Sequence, residues 1–403
     1  MRQIVVLAAT VVVFFAGAVG PVTTPANENL SAQEQKAPPP YRPFVVSGDF
    51  IHVSGMLPLG PSGTIVGSDI KAQTKQALDN VRAALEKAGA RMSDVAAVNV
   101  YLKRASDFPA MNEVYASTWP KDPPARTTVV ANLVVPEALI EISAVGLRPG
   151  AERAVVHPAG WQRSPSPYSY GIRSGATLFL AGLVSRSGRD NKAVTGNMTA
   201  QTQLVLDNAR AILAEAGMSL ADVVAARVYI TDTRMFEEMN AAYRQAFPKD
   251  PPARATVVTG LTSPDYLVEI ALTAVKTADR SAIVPPNADG TPGKPNPNLS
   301  GAIRAGNRLF VSGTLGATDA TRGNIGEQVR ETLTRIGRTL AAAGFAWPQV
   351  VESTVFITDV SNFAAMNEAY RSIVPEPWPA RATIETRLVS PEGLVEIMVA
   401  ASK

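Results

Sequence analysis

Three times along the chain the same order of apolar and polar positions recurs. It opens with alternating runs, FVVSGDFIHVSG, YGIRSGATLFLAG and GAIRAGNRLFVSG, each of which predicts two strands about a tight turn, supplied in the first by Ser47-Gly48-Asp49. A helical pattern follows. Ile70, Ala77, Leu78, Val81, Leu85 and Ala88 share one face, and Gly89 supplies the left-handed stop. A strand (VAAVNVYL), a shorter helix (FPAMNEVYAS), a proline-containing loop and the strands ARTTVVANL and LIEISAVGL complete the unit. The order ββαβαββ predicts an α+β domain with its helices on one face of a sheet, and it leaves the other face bare.

The repetition is exact in spacing as well as in pattern. Arg126, Arg254 and Arg381 lie 128 and 127 residues apart, and the same offsets relate Gln73, Gln201 and Gln328, then Gly89, Gly217 and Gly344. Asn112, Asn240 and Asn367 obey them too, as do Glu141, Glu269 and Glu396. Three segments of 69 residues therefore align without a gap from glutamine to glutamate. A period this long is that of tandem domains rather than of a solenoid. The expected domains cover 39–150, 161–278 and 297–403, with connectors at 151–160 and 279–296 rich in Pro and Gly. An uncovered apolar sheet face needs a partner. Three copies packed about a common axis would bury all three faces and leave clefts between neighbours.

The first 38 residues read differently. Arg2, a short apolar run and the Ala16-x-Ala18 pattern predict a cleavable export signal over 1–18, followed by a polar, Pro-rich linker over 19–38. The mature protein would then be periplasmic or secreted, without a membrane anchor once the signal is removed. Composition narrows the chemistry. Cysteine is absent, which excludes disulfides and thiolate chemistry, and only two histidines exist, His52 and His157, at no metal-ligand spacing. Neither metal nor cofactor is expected. The formal charge is +3 with no basic tract, so no electrostatic footprint for nucleic acid is present.

On the S-G that ends the hairpin, the MN..Y helix, the PAR.T strand and the VEI strand, the chain resembles the Rid/YjgF family, the reactive-intermediate deaminases also described as L-PSP endoribonuclease-like. The resemblance covers three domains from about residue 40 to the C-terminus. It implies three chorismate-mutase-like (Rid) domains arranged as a single-chain pseudotrimer, a monomer with internal pseudo-threefold symmetry.

The resemblance also implies roles for residues. Arg126, Arg254 and Arg381 would hold a substrate carboxylate, for which a planar guanidinium that never loses its charge is well suited. Glu141, Glu269 and Glu396 would place the hydrolytic water; each sits in an apolar strand, where a carboxylate is costly unless it is paired or functional. An ion pair between arginine and glutamate would satisfy both residues equally well. Thr128, Thr256 and Thr383 stand where the family often has cysteine, and offer a hydroxyl. Tyr41 and Tyr168 match the aromatic residue that closes the cleft, but the third copy has Leu299 there. Ser54 and Ser312 match the hairpin serine, whereas the second copy has Ala181. Asn112, Asn240 and Asn367 serve either the ligand or the helix. The implied reaction is hydrolysis of small enamine or imine carboxylic acids to 2-keto acids and ammonia. A non-catalytic binding protein for small carboxylates is the alternative. An endoribonuclease ranks lower, since neither a basic stripe nor a histidine pair is present.

Overall fold

A computed structural model describes residues 39–403; the expected export signal and linker lie outside the described residues. The first repeat runs β1 (Phe44–Ser47), β2 (Phe50–Met56), α1 (Ile70–Lys87), β3 (Val95–Leu102), α2 (Phe108–Thr118), β4 (Ala125–Val130), β5 (Asn132–Leu133) and β6 (Ile140–Leu147). β7 (Ala154–Val156) lies in the connector. The second comprises β8 (Gly171–Ser174), β9 (Thr177–Leu180), β10 (Leu183–Val184), α3 (Met198–Glu215), β11 (Val223–Ile230), α4 (Phe236–Ala246), β12 (Ala253–Val258) and β13 (Val268–Val275). After β14 (Arg280–Ile283), the third comprises β15 (Ala302–Ala305), β16 (Arg308–Leu315), α5 (Ile325–Ala342), β17 (Val350–Ile357), α6 (Phe363–Ile373), β18 (Ala380–Glu385), β19 (Arg387–Leu388) and β20 (Val395–Ser402).

Local chemistry sets these boundaries. The Asp69 carboxylate accepts hydrogen bonds from the Lys71 and Ala72 amides to open α1, Asn197 and Asn324 do the same for α3 and α5, and Gly89 at φ 84° ends α1. In the first sheet the strands are ordered β1-β2-β6-β3-β4, with β3 and β4 parallel and the other neighbours antiparallel. Alternation sorts the side chains: Val98, Val100 and Leu102 of β3 pack under the helices, whereas Tyr101 points to the opposite face. There Tyr101 joins Val129, Tyr229, Val257, Phe356 and Ile384, so residues of all three repeats share one buried cluster. Each fully buried side chain of this size contributes about 1.5–3 kcal/mol.

Backbone pairing crosses between repeats in cyclic order. β5 of the first repeat extends β18 of the third, β19 of the third extends β12 of the second, and Gly260 of the second bridges Val130 of the first. The connectors are less slack than their Pro and Gly content suggests, because β7 pairs with β8 and β14 with β15, lengthening the next repeat's sheet. No helix of the described residues is long and apolar enough to cross a membrane.

Candidate functional site

Each of the three arginines sits one residue into a strand, Arg126 on β4, Arg254 on β12 and Arg381 on β18, and all are buried, with 3, 2 and 3 % of their surface exposed. Aromatic rings hold the guanidiniums. Tyr115, Tyr243 and Tyr370 lie 4.6, 4.7 and 5.0 Å from the respective guanidinium carbons, and Phe108, Phe236 and Phe363 lie at 5.5, 6.0 and 5.9 Å. Such faces favour a cation. Asn240 Oδ1 accepts from Arg254 Nη2 at 2.7 Å and Asn367 Oδ1 from Arg381 Nη2 at 2.6 Å, so these two asparagines orient the arginine. Asn112 Oδ1 is buried without a partner. Nη1 of all three arginines is likewise buried and unpartnered. A buried donor in that condition is costly unless a ligand meets it.

The glutamate that faces each arginine comes from a different repeat. Within one sheet β3 lies between β4 and β6, and Arg126 stands opposite Val98 whereas Glu141 stands opposite Tyr101, so two strand spacings and three residues along the strand set them roughly 14 Å apart. Glu269 instead reaches the first repeat, where its Oε1 accepts from the Thr128 amide at 3.1 Å. The Thr256 and Thr383 main chains serve Glu396 and Glu141 in the same way. The threonines thus act through the backbone, and the hydroxyls of Thr128 and Thr256 are buried without partners. Arginine and glutamate form no ion pair at any of the three sites among the described residues. Burial pushes each carboxyl up to about 8, against the opposing pull of the threonine amide and the arginine charge. Burial also lowers the pKa of each arginine.

Two further sets of residues shape the surroundings of these carboxyls: the glycines that end the hairpins, and the aligned glutamines. A β-carbon on Gly55, Gly182 or Gly313 would overlap the carboxyl of Glu141, Glu269 or Glu396, so only glycine leaves room for it. Gln73, Gln201 and Gln328 accept from the Leu139, Leu267 and Leu394 amides at 2.7, 2.9 and 2.8 Å, two residues before each glutamate. They tie the long helix to the glutamate strand.

The three sites differ at their rims. Tyr168 lies 5.8 Å from Arg126 and Tyr41 lies 5.1 Å from Arg381, whereas Arg254 has no third ring among the described residues and Leu299 lines a neighbouring groove. Ser54 and Ser312 are not free for a ligand. Their hydroxyls donate to Arg42 and Ser300 carbonyls and accept from the Arg381 and Arg254 amides, so both are joints between repeats. With Ala181 in the second repeat, that joint rests on the Gly182 amide to the Arg126 carbonyl, 3.1 Å, and Ser169 Oγ to the Pro123 carbonyl, 2.6 Å. The first site also contains Arg186 and Tyr266, hydrogen-bonded to one another at 2.7 Å.

A buried guanidinium facing a raised-pKa carboxyl across a repeat boundary recurs three times on one α+β fold, and such clusters of perturbed titratable groups mark candidate functional sites. The chain belongs to the Endoribonuclease L-PSP family, whose model matches residues 31–147, 162–276 and 292–403. Among its Rid/RutC relatives, a RutC family protein of Pyrococcus abyssi is 42% identical over 118 residues, covering 28% of this chain and 93% of that protein. The 3-aminoacrylate deaminase RutC of Acinetobacter baylyi is 39% identical over 112 residues, covering 27% of this chain and 89% of its own length. A solved chorismatase shares the fold over 77% of this chain and 93% of its own, at TM-score 0.54 and 15% identity.

Proposed function

We propose that the chain hydrolyses small enamine or imine carboxylic acids to 2-keto acids and ammonia, at clefts between repeats of a single-chain pseudotrimer. The cyclic strand exchange supports the arrangement, since it uses one edge of each repeat and returns to the first. Membership of a family that includes a 3-aminoacrylate deaminase supports the reaction class. The observation that carries the reading is the pairing of an arginine that has a free, buried Nη1 with a carboxyl near pKa 8 on the next repeat.

In this reading the guanidinium binds the substrate carboxylate through a charge-assisted pair. The protonated glutamate donates its proton to the imine nitrogen. Water then adds to the imine carbon and gives a proton to the carboxylate so formed, and the carbinolamine collapses to a carbonyl with loss of ammonia. A carboxyl poised near 8 can play both parts around neutrality. Positioning plus acid-base help would supply roughly 10²- to 10⁴-fold without a cofactor. Thr128, Thr256 and Thr383 fix the carboxyl through their amides. Tyr41 and Tyr168 would close two of the clefts over the substrate.

The test is to mix the purified chain with 2-aminoacrylate generated enzymatically and to follow keto-acid release. A rate no faster than the buffer reaction, with keto acid still bound, would turn the reading to a binding protein.

A further inference from the structure

The arginine sites are not the only place where the repeats share charged groups. A second cavity of about 70 Å³ is lined by residues from all three repeats, among them His52, Phe179, Arg227, Arg308, Phe310 and Glu352. None of these belongs to the clefts. Their equivalents in the other repeats are of different chemistry. Counting from the hairpin turns, Arg308 corresponds to Phe50 and Thr177, and His52 to Phe179 and Phe310; by the 128 and 127 offsets, Glu352 corresponds to Ala97 and Ala225 and Arg227 to Asn99 and Thr354. Three identical subunits could not build this set, because each group occurs once.

The charges do not cancel. Glu352 is satisfied twice, by Arg227 Nη2 at 2.6 Å and His52 Nδ1 at 2.9 Å. Arg308 has no such partner. Its guanidinium lies between the rings of Phe50 and Phe310, at 4.7 and 4.8 Å, and its one hydrogen bond among the described residues is to the Thr177 hydroxyl at 2.9 Å. Arg227 Nε is buried and unpartnered in the same cavity. Partial burial of a cation with so few partners is costly, and it pulls the Arg308 pKa down to about 10 against the opposing pull of the Glu352 charge. An anion that enters the cavity removes that cost. Phe179, Leu180, Val145 and Met398 supply an apolar wall, opposite which Asn99, Thr127 and Thr273 add polar groups. At roughly 10–15 Å³ per water-sized occupant, the space admits only a handful of heavy atoms.

We propose that this central cavity, held by Arg308 and Arg227, binds one short-chain carboxylate of about four carbons per chain, carboxylate toward the guanidiniums and tail toward the apolar wall. The site is separate from the clefts and independent of whether they catalyse anything.

Butyrate is the probe. Calorimetric titration of the R126A/R254A/R381A chain, whose clefts lack their guanidiniums, should still show one site, with affinity at least tenfold weaker after R308Q. Loss of all binding in the triple variant while it remains folded, or no effect of R308Q, would overturn the proposal. Thr273→Leu, which fills the cavity without altering a charge, should also abolish the site, and retention of binding there would count against it. Sulfate should bind at least tenfold more weakly than butyrate; equal binding would remove the carboxylate assignment. A crystal of the unmodified chain with 2-bromobutyrate needs no variant to fold: anomalous bromine signal beside Arg308 supports the site, and signal in the clefts alone refutes it.

Discussion

Gly182 and Glu269 compete for the same space: the carboxyl of Glu269 occupies the position that a β-carbon on residue 182 would fill. The two residues belong to one repeat, yet the carboxyl they shape is delivered to Arg126 and Thr128 of another. Gly182→Ala should therefore displace the carboxyl from the Thr128 amide and disable the first cleft, while Arg254 and Arg381 keep theirs. A misplacement of about 1 Å costs on the order of 10² in rate. Single-turnover imine hydrolysis by a chain in which the other two clefts carry Arg→Ala would read this directly; an unchanged rate would contradict it.

The arginines should act one cleft at a time. Arg126→Ala, Arg254→Ala and Arg381→Ala each remove one charge-assisted pair, worth about 1.5–3 kcal/mol, or roughly ten- to a hundredfold in carboxylate affinity at that cleft. Arg254→Ala should change total activity least, because Leu299 stands where the other clefts have a tyrosine. Steady-state rates and keto-acid binding stoichiometry for the three variants would check the ranking.

A carboxyl near 8 leaves two signatures in pH. If the protonated form is the acid, turnover should fall as pH rises past about 8, and replacing Glu141, Glu269 and Glu396 with Gln should abolish that limb along with most activity. Stability follows the same groups. Their folded pKa lies above the ordinary value of 4.5, so between about 4.5 and 8 the folded chain holds more protons than the unfolded one. Folding free energy should accordingly decline as pH rises through that window. The Glu→Gln chain should show a flatter dependence in urea titrations at pH 5, 6.5 and 8.

Glu352 has the opposite sign. Burial alone would raise it, but hydrogen bonds and charge from His52 and Arg227 hold it at about 2. Its stabilisation is full above about 4.5 and is lost as pH falls toward 2. Glu352→Ala leaves Arg227 without its carboxylate partner and should cost about 3–5 kcal/mol at neutral pH, visible as a lower urea midpoint.

Light scattering should find one chain per particle, because the edges exchanged between repeats are already paired within the chain. An obligate trimer of chains would contradict the pseudotrimer.

Much of this was legible because equivalent residues recur at fixed offsets. The family and three α+β copies follow from Arg126, Arg254 and Arg381 and the positions aligned with them. Which glutamate meets which arginine was not legible, since Arg126 and Glu141 are fifteen residues apart in the chain but separated by β3 in the sheet. Tyr115, Tyr243 and Tyr370 appear in the sequence only as the tyrosine of the MN..Y helix; packing alone shows that their faces carry the guanidinium. Ser54 and Ser312 read as ligand groups, yet their hydroxyls are consumed by main-chain partners contributed by distant sequence. Gly55, Gly182 and Gly313 read as hairpin punctuation, because the carboxyl that requires them arrives from a strand more than eighty residues later.

The pairing of β5 with β18 sets a timetable for the newborn chain. Asn132 hydrogen-bonds Glu385 across 253 residues, so the first repeat finishes its edge only after the last strands have left the ribosome. Until then the first repeat waits with an unmet strand edge and a bare aromatic layer around Tyr101, both of which attract other chains. Loss of residues beyond about 380 would therefore harm the beginning of the protein as much as its end, and a holding chaperone would be needed most during synthesis of the middle repeat.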